Sequence, residues 1–331
     1  MNRTAILLAL LGALPSVTTA QVTGGAIPRG KVPSQPYAAF DVIDAFGRTI
    51  TGYLSEARGT APRPLIVYVH GSGHQSHFQQ AGGRVVPANG HATLVDVVGD
   101  RARVLIVEKP GVQRYERGDE PASRMFREEH TLGRWVEAVV AATRAARRLP
   151  GIDTTRLLVV GHSEGGLVAA RVAARLPEVS HVALLAGGGP TQLFDLIQLA
   201  RAGTFFSDVS AEPAAREAYV VSQWEAIRAD PESATRDFFG HPFRRWSSFL
   251  ADSPIAALAH TPAKVFLAQG ERDQAVSRAS FDALAAQLTA AGRAPAVHLM
   301  AGADHSFALA GAAPRDGWAE ILGDLVRWYL G

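Results

Sequence analysis

Two apolar rhythms alternate along most of the chain. Short apolar runs at Pro64 to Val69, Val104 to Glu108, Leu157 to Val160, Val182 to Leu185, Lys264 to Ala268 and Ala296 to Met300 read as buried strands. Between them lie helical patterns. In Thr131 to Leu149, Leu132, Trp135, Val136, Val139 and Val140 recur at i, i+3, i+4, i+7 and i+8. A small-residue helix starts near Leu167, another spans Ser280 to Ala290, and Gly317 to Leu330 closes the chain with Trp318, Ile321, Leu322, Leu325 and Trp328 or Tyr329 on its inner face. Ahead of this series, Tyr37 to Ala45 and Thr49 to Glu56 read as two strands joined at Phe46-Gly47-Arg48, and Gln21 to Pro36 as an extended Gly/Pro-rich lead-in. Strands and helices in this alternation predict an α/β fold, with a mostly parallel central sheet covered by helices on both faces.

The rhythm breaks between Pro190 and Thr261. This stretch is helical in pattern, with Leu193, Leu196, Ile197 and Ala200 on one face and Asp230-Pro231 as a cap and first-turn pair. It holds ten of the chain's 25 aromatic residues, more than a connecting loop needs. A helical lid over the strand ends is expected here, inserted at about 190–261 between core segments of about 37–189 and 262–331. Most of its rings are expected to form the lid's own small core, with one or two lining a pocket for an acyl group.

Composition narrows the picture. The 331 residues are 47% apolar, enough for a substantial core, and the net charge of +2 offers no basic stripe for nucleic acid. Only Lys31, Lys109 and Lys264 are lysines. No cysteine is present, which excludes disulfides, a thiol nucleophile and lipid attached to an N-terminal cysteine. At the N-terminus, Arg3, the apolar run Ala5 to Leu14 and the small residues of Val17-Thr18-Thr19-Ala20 have the order of a secretory signal over residues 1–20. The expected location is periplasmic or secreted, with no stable membrane insertion after cleavage, because the run is too short to span a bilayer.

The stretch that carries chemistry is Gly161-His162-Ser163-Glu164-Gly165, a G-x-S-x-G between a strand and a helix. In that context it is a nucleophile elbow: flanking glycines permit a sharp reversal that exposes the serine hydroxyl near the free N–H groups of a helix start. A serine needs a base, and the base a carboxylate that fixes its tautomer. His305 follows the last strand and Asp273 the strand before it, with Glu271 a second carboxylate nearby. His162, at the variable elbow position, is expected beneath the turn, and the remaining histidines in ordinary surface or core roles. His70, His74 and His77 have a spacing that can collect a metal, but no carboxylate pair or cysteine accompanies them, so no metal site is expected. The N–H of Glu164 is expected to face developing negative charge, and its carboxylate to sit as a first-turn acid.

These motifs, V-H-G-S-G at Val69 to Gly73, G-H-S-E-G-G at Gly161 to Gly166, Q-G-E-R-D at Gln269 to Asp273 and A-D-H-S-F at Ala303 to Phe307, resemble those of the α/β-hydrolase superfamily. The likeness is to the group of dienelactone hydrolase-like esterases and prolyl oligopeptidase-like catalytic domains, and it covers the chain from about Tyr37 to the end, the lid excepted. It implies an α/β-hydrolase fold and a Ser163–Asp273–His305 triad, with the carboxylate after Arg272 as the acid. It also implies a second oxyanion donor in His70 to Gly73, Ser72 first and Gly73 the alternate. Such a serine hydrolase uses no cofactor and takes a small-molecule ester. A peptidase or amidase is the other enzymatic reading, although no Arg or Glu clamp for a peptide terminus is visible and the length leaves no room for a β-propeller. A catalytically silent binding module would share the fold, but a complete triad argues against it.

Overall fold

The structure is a computed structural model that describes residues 25–259, 261–309 and 316–331. The signal segment read over residues 1–20 lies outside them. Among the described residues, nine strands form the central sheet: β1 (Ile27–Lys31), β2 (Tyr37–Ile43), β3 (Thr49–Ser55), β4 (Arg63–Val69), β5 (Arg103–Val107), β6 (Ile152–His162), β7 (His181–Leu185), β8 (Lys264–Gly270) and β9 (Ala296–Met300). Their order is β1-β2-β3-β5-β4-β6-β7-β8-β9. The first three pair antiparallel, as do β3 and β5, and from β5 onward every neighbouring pair is parallel. Parallel strands carry their C-terminal ends to one edge, where the loops that hold a site gather.

Strand periodicity divides the core in two. Leu65, Val67, Leu157, Val159, Val182, Leu184, Val265 and Leu267 face one side of the sheet. Ile66, Tyr68, Leu158, Val160, Ala183, Leu185, Phe266 and Ala268 face the other. The short helices α1 (His91–Val98) and α2 (Arg124–Glu129) precede α3 (Leu132–Ala146), and α4 (Glu164–Arg175) follows the elbow. Then come α5 (Gln192–Ala202), α6 (Pro213–Ala229), α7 (Phe243–Phe249), α8 (Pro254–Leu258), α9 (Arg278–Ala290) and α10 (Gly317–Leu330). Helices α3, α4 and α9 cover the first face, and α1 and α10 the second. Both sides of every central strand are therefore apolar, which accounts for the continuous hydrophobic runs.

Helices α5, α6 and α7 lie in the stretch between β7 and β8 and carry a core of their own, built from Leu196, Val220, Ile227, Phe238, Phe243 and Trp246. Several elements differ from the sequence reading. Ile27–Lys31 is a strand, not a lead-in; it is exposed along its length, so no apolar pattern marks it. Phe78–Ala81 and Arg84–Pro87 form a hairpin turning at Gly82-Gly83. Helix α1 buries only His91, Leu94 and Val98, too narrow a stripe for periodicity to reveal.

Candidate active site

Ser163 sits between β6 and α4 with φ 56° and ψ −128°, a left-handed-side conformation that a non-glycine residue holds only under strain. Close packing sets the flanking residues. A Cβ on Gly161 would stand 1.9 Å from the Gly165 carbonyl oxygen, and one on Gly165 would stand 2.3 Å from that of Val69. The Ser163 N–H donates to the Leu185 carbonyl at 2.8 Å and its own carbonyl accepts from Gly166 N–H at 2.8 Å, pinning the turn.

The three side chains singled out in the sequence converge here. His305 Nε2 lies 2.9 Å from Ser163 Oγ, and its Nδ1 lies 3.0 and 2.9 Å from the two Asp273 oxygens. A carboxylate only accepts, so Nδ1 carries the proton and Nε2 is left to accept from the serine hydroxyl. The Asp273 side chain is fully buried, and its Oδ1 also accepts from the N–H groups of Ala275 and Val276 at 2.8 and 3.0 Å. Glu271, the other carboxylate in that loop, instead accepts from Gly302 N–H at 2.9 Å. The two loops meet because Gly270 has no Cβ, which would lie 2.2 Å from the Asp304 carbonyl oxygen.

Glu164 is the first residue of α4, where an N–H has no intrahelical acceptor. The Ser72 N–H finds no protein acceptor among the described residues. The Glu164 side chain lies in the first turn of α4. It is buried, ion-paired with Arg245 of α7, and 3.2 Å from His130 Nε2. Arg245 lies over Trp246 and Phe249, at 3.8 and 4.6 Å from the ring centroids. Burial pulls its guanidinium down to about 9, still cationic at neutral pH, and pushes the His130 imidazole well below its usual range.

Two clefts meet at Ser163, His305 and Ser72. One, of about 300 Å³, runs beneath the lid past Leu196, Phe205, Phe239, Arg245 and Trp246. The other, of about 450 Å³, passes Tyr68, Gln75, Asn89, His162 and Trp318. His162 therefore borders the site rather than lying beneath the turn; its Nε2 is 3.0 Å from the His305 carbonyl oxygen and burial holds it down near 4. His70 and His77 are buried edge to face with centroids 4.5 Å apart, whereas His74 Nε2 sits 2.8 Å from the Glu120 carbonyl oxygen.

Sequence reasoning missed Lys109, His130 and Arg245. Lys109 is buried, donates to the carbonyls of Gly71 and Gly73, and lies 4.4 Å from the Trp135 ring centroid. Beside it, Glu108 accepts from Ser76 Oγ and, at 3.1 Å, from Tyr53 OH, and burial pushes its carboxyl up to about 7. None of these residues belongs to a local motif. The one available signal was a pair of charges, Glu108-Lys109, directly following an apolar strand.

Comparison with known proteins agrees with this architecture. Residues 48–321 match the alpha/beta hydrolase family, and the chain belongs to it. A structure of Est1E from Butyrivibrio proteoclasticus with ferulic acid bound is similar, with 17% identity, a TM-score of 0.57, and 87% of this chain and 96% of that one covered. An esterase of Pyrobaculum calidifontis shares 17% identity at a TM-score of 0.57, over 90% of this chain and 86% of that one. A puromycin-hydrolyzing peptidase of Mycobacterium tuberculosis is also similar, with 17% identity, a TM-score of 0.55 and 89% of this chain covered, and the chain spans 39% of its length. No curated protein sequence matches. The chain is a hydrolase of the alpha/beta family.

Proposed function

We propose that the protein is a serine hydrolase that cleaves carboxylic esters through an acyl-enzyme, and that it is exported to the periplasm or secreted. The observation that carries the reaction is the hydrogen-bonded chain from Ser163 Oγ through His305 to buried Asp273, placed where two clefts meet. Ser163 Oγ attacks the ester carbonyl carbon as His305 Nε2 takes its proton, and Asp273 stabilises the resulting imidazolium. The carbonyl oxygen becomes an oxyanion facing the N–H groups of Glu164 and Ser72. Collapse expels the alcohol, which leaves with the proton from His305. Water then repeats the sequence and releases the acid.

The acyl part occupies the cleft beneath the lid, where Leu196, Phe205, Phe239 and Trp246 supply apolar surface. The alcohol leaves through the cleft of Gln75, Asn89 and His162. An ester is favoured over a peptide because similarity to the Pyrobaculum esterase extends over most of both chains, whereas the peptidase is matched over a minor part of its length. Export rests on the N-terminal pattern of Arg3, the apolar run and the small residues before Gln21. No helix among the described residues is long and apolar enough to cross a membrane.

Hydrolysis of p-nitrophenyl esters from acetate to decanoate, compared between wild type and Ser163→Ala, tests this reading. The wild type is expected to turn over esters and the folded variant to lose activity by at least about four orders of magnitude. Equal rates would contradict it. Cleavage of the N-terminal segment on export, read by N-terminal sequencing of the mature protein, tests the location.

A further inference from the structure

We propose that Lys109 is a positioning residue for the oxyanion site, holding the Gly71–Ser72 peptide so that the Ser72 N–H, rather than that of Gly73, faces the reacting carbonyl. The inference rests on the serine-hydrolase reading and concerns a side chain that takes no part in the triad.

The geometry starts at Gly71. A Cβ there would stand 3.0 Å from Ser163 Cβ and 3.5 Å from Ser163 Oγ, so this backbone lies directly against the nucleophile. Lys109 Nζ donates to the Gly71 carbonyl and, at 2.7 Å, to the Gly73 carbonyl. Every described peptide bond is trans, and in a planar trans peptide the C=O and N–H point in opposite directions. Fixing the Gly71 carbonyl therefore fixes the Ser72 N–H on the opposite side of the same plane. The bond to Gly73 fixes the Gly73–His74 peptide, so both peptides flanking the Ser72–Gly73 unit are held. The Gly73 N–H belongs to the unit between them, which Lys109 does not grip.

The holder is itself rigid. Lys109 is 1% exposed, and the Trp135 ring, 0% exposed, covers it at 4.4 Å. Two carbonyls close together suit a compact amine with rotatable donors better than a planar guanidinium, and burial together with nearby Arg245 pushes the Lys109 amine well below its usual range. Of the three lysines in this arginine-rich chain, Lys31 and Lys264 are exposed and Lys109 is buried. Its neighbour Glu108 holds the far end of the same loop through Ser76 Oγ and the His77 N–H. The end of β5 thus grips the loop at two points.

The test compares wild type with Lys109→Met, which keeps the length of the side chain and removes its donors. Three quantities are read: kcat and KM for p-nitrophenyl butyrate, and the inhibition constant of an alkyl trifluoromethyl ketone. Ser163 Oγ adds to the ketone carbon, its proton passes to His305, and the ketone oxygen becomes an oxyanion at the site in question. The expected result is a fall in kcat of about 10- to 100-fold, smaller than the 10²–10³ of losing an oxyanion donor outright, with KM within about twofold. Affinity for the ketone should fall in parallel with kcat/KM. If Lys109→Met does not fold, Lys109→Gln, which retains an N–H donor for one carbonyl, is read in the same way and should fall between wild type and complete loss. Unchanged kcat and ketone affinity in a folded variant would overturn the inference, as would lost kcat with unchanged ketone affinity. Labelling of the wild type by a fluorophosphonate keeps the two ideas separate. A labelled and active wild type with an indifferent Lys109 variant refutes only the role of Lys109, whereas an unlabelled wild type removes the underlying reading and this inference with it.

Discussion

At Gly165 the space for a side chain is already filled by backbone, since a Cβ would meet the Val69 and His70 carbonyl oxygens at 2.3 and 2.6 Å. Gly165→Ala should therefore displace the elbow or β4, costing about 2–4 kcal/mol in urea unfolding together with activity; a loss below about 0.5 kcal/mol would contradict this packing. Glu108 has a different signature. Burial outweighs the donors around it, Ser76, Tyr53 and His77, and the nearby Lys109, and raises its carboxyl to about 7 from 4.5. The folded state then holds this proton more tightly than the unfolded chain. The stabilisation is complete below the unfolded value and is lost as pH rises through the folded one. Relative to Glu108→Gln, the wild-type Tm is expected to decline between about pH 5 and pH 8. A difference in Tm that stays constant with pH would show that the carboxyl does not titrate there. Residues of this kind were partly legible. Ser163, Asp273 and His305 sit in recognisable local motifs, while Lys109 and Arg245 matter only through partners distant in sequence, which no local pattern displays.

Among the elements, the junction between α4 and α7 has the clearest energetic consequence. Glu164 and Arg245 are each 3% exposed in their side chains, with His130 completing the cluster. Removing one member leaves the other charge buried and unpaired. Arg245→Met should destabilise by about 3–5 kcal/mol, and adding Glu164→Gln should restore a large part of that loss, because the double variant leaves no orphan charge. Strictly additive losses in urea unfolding would refute the coupling. Glu164→Gln keeps the backbone N–H proposed for the oxyanion, so its effect on kcat per folded molecule should be small beside its effect on stability. Legibility also varied by element. Central strands and α10 were readable because they are apolar on both faces or along one wide stripe. Strand β1, at an exposed edge, has no such pattern. The lid was recognised by its helical spacing and ring content, but the rings lining the cleft, Phe205, Phe239 and Trp246, were not separable from Phe238 and Phe243, which share its core.

For the whole molecule, parallel strands, two covered faces and a helical insertion bring loops from the ends of β4, β6, β8 and β9 to one edge, and the lid leaves a cleft of about 300 Å³ beside Ser163. On the ester reading proposed above, a cleft of that size takes a short or medium acyl chain. Phe239, 46% exposed and lining it, can be truncated with little harm to the core. Phe239→Ala is expected to move the optimum of the p-nitrophenyl ester series toward longer acyl chains while leaving Tm within a few degrees. An unmoved optimum would place the acyl group elsewhere. The most direct measurement of the central claim is the mass of the protein after reaction with a fluorophosphonate, with peptide mapping of the adduct. One adduct on the peptide containing Ser163, absent from Ser163→Ala, is the predicted result. An unmodified Ser163, or an adduct on another residue with ester turnover intact in Ser163→Ala, would contradict it.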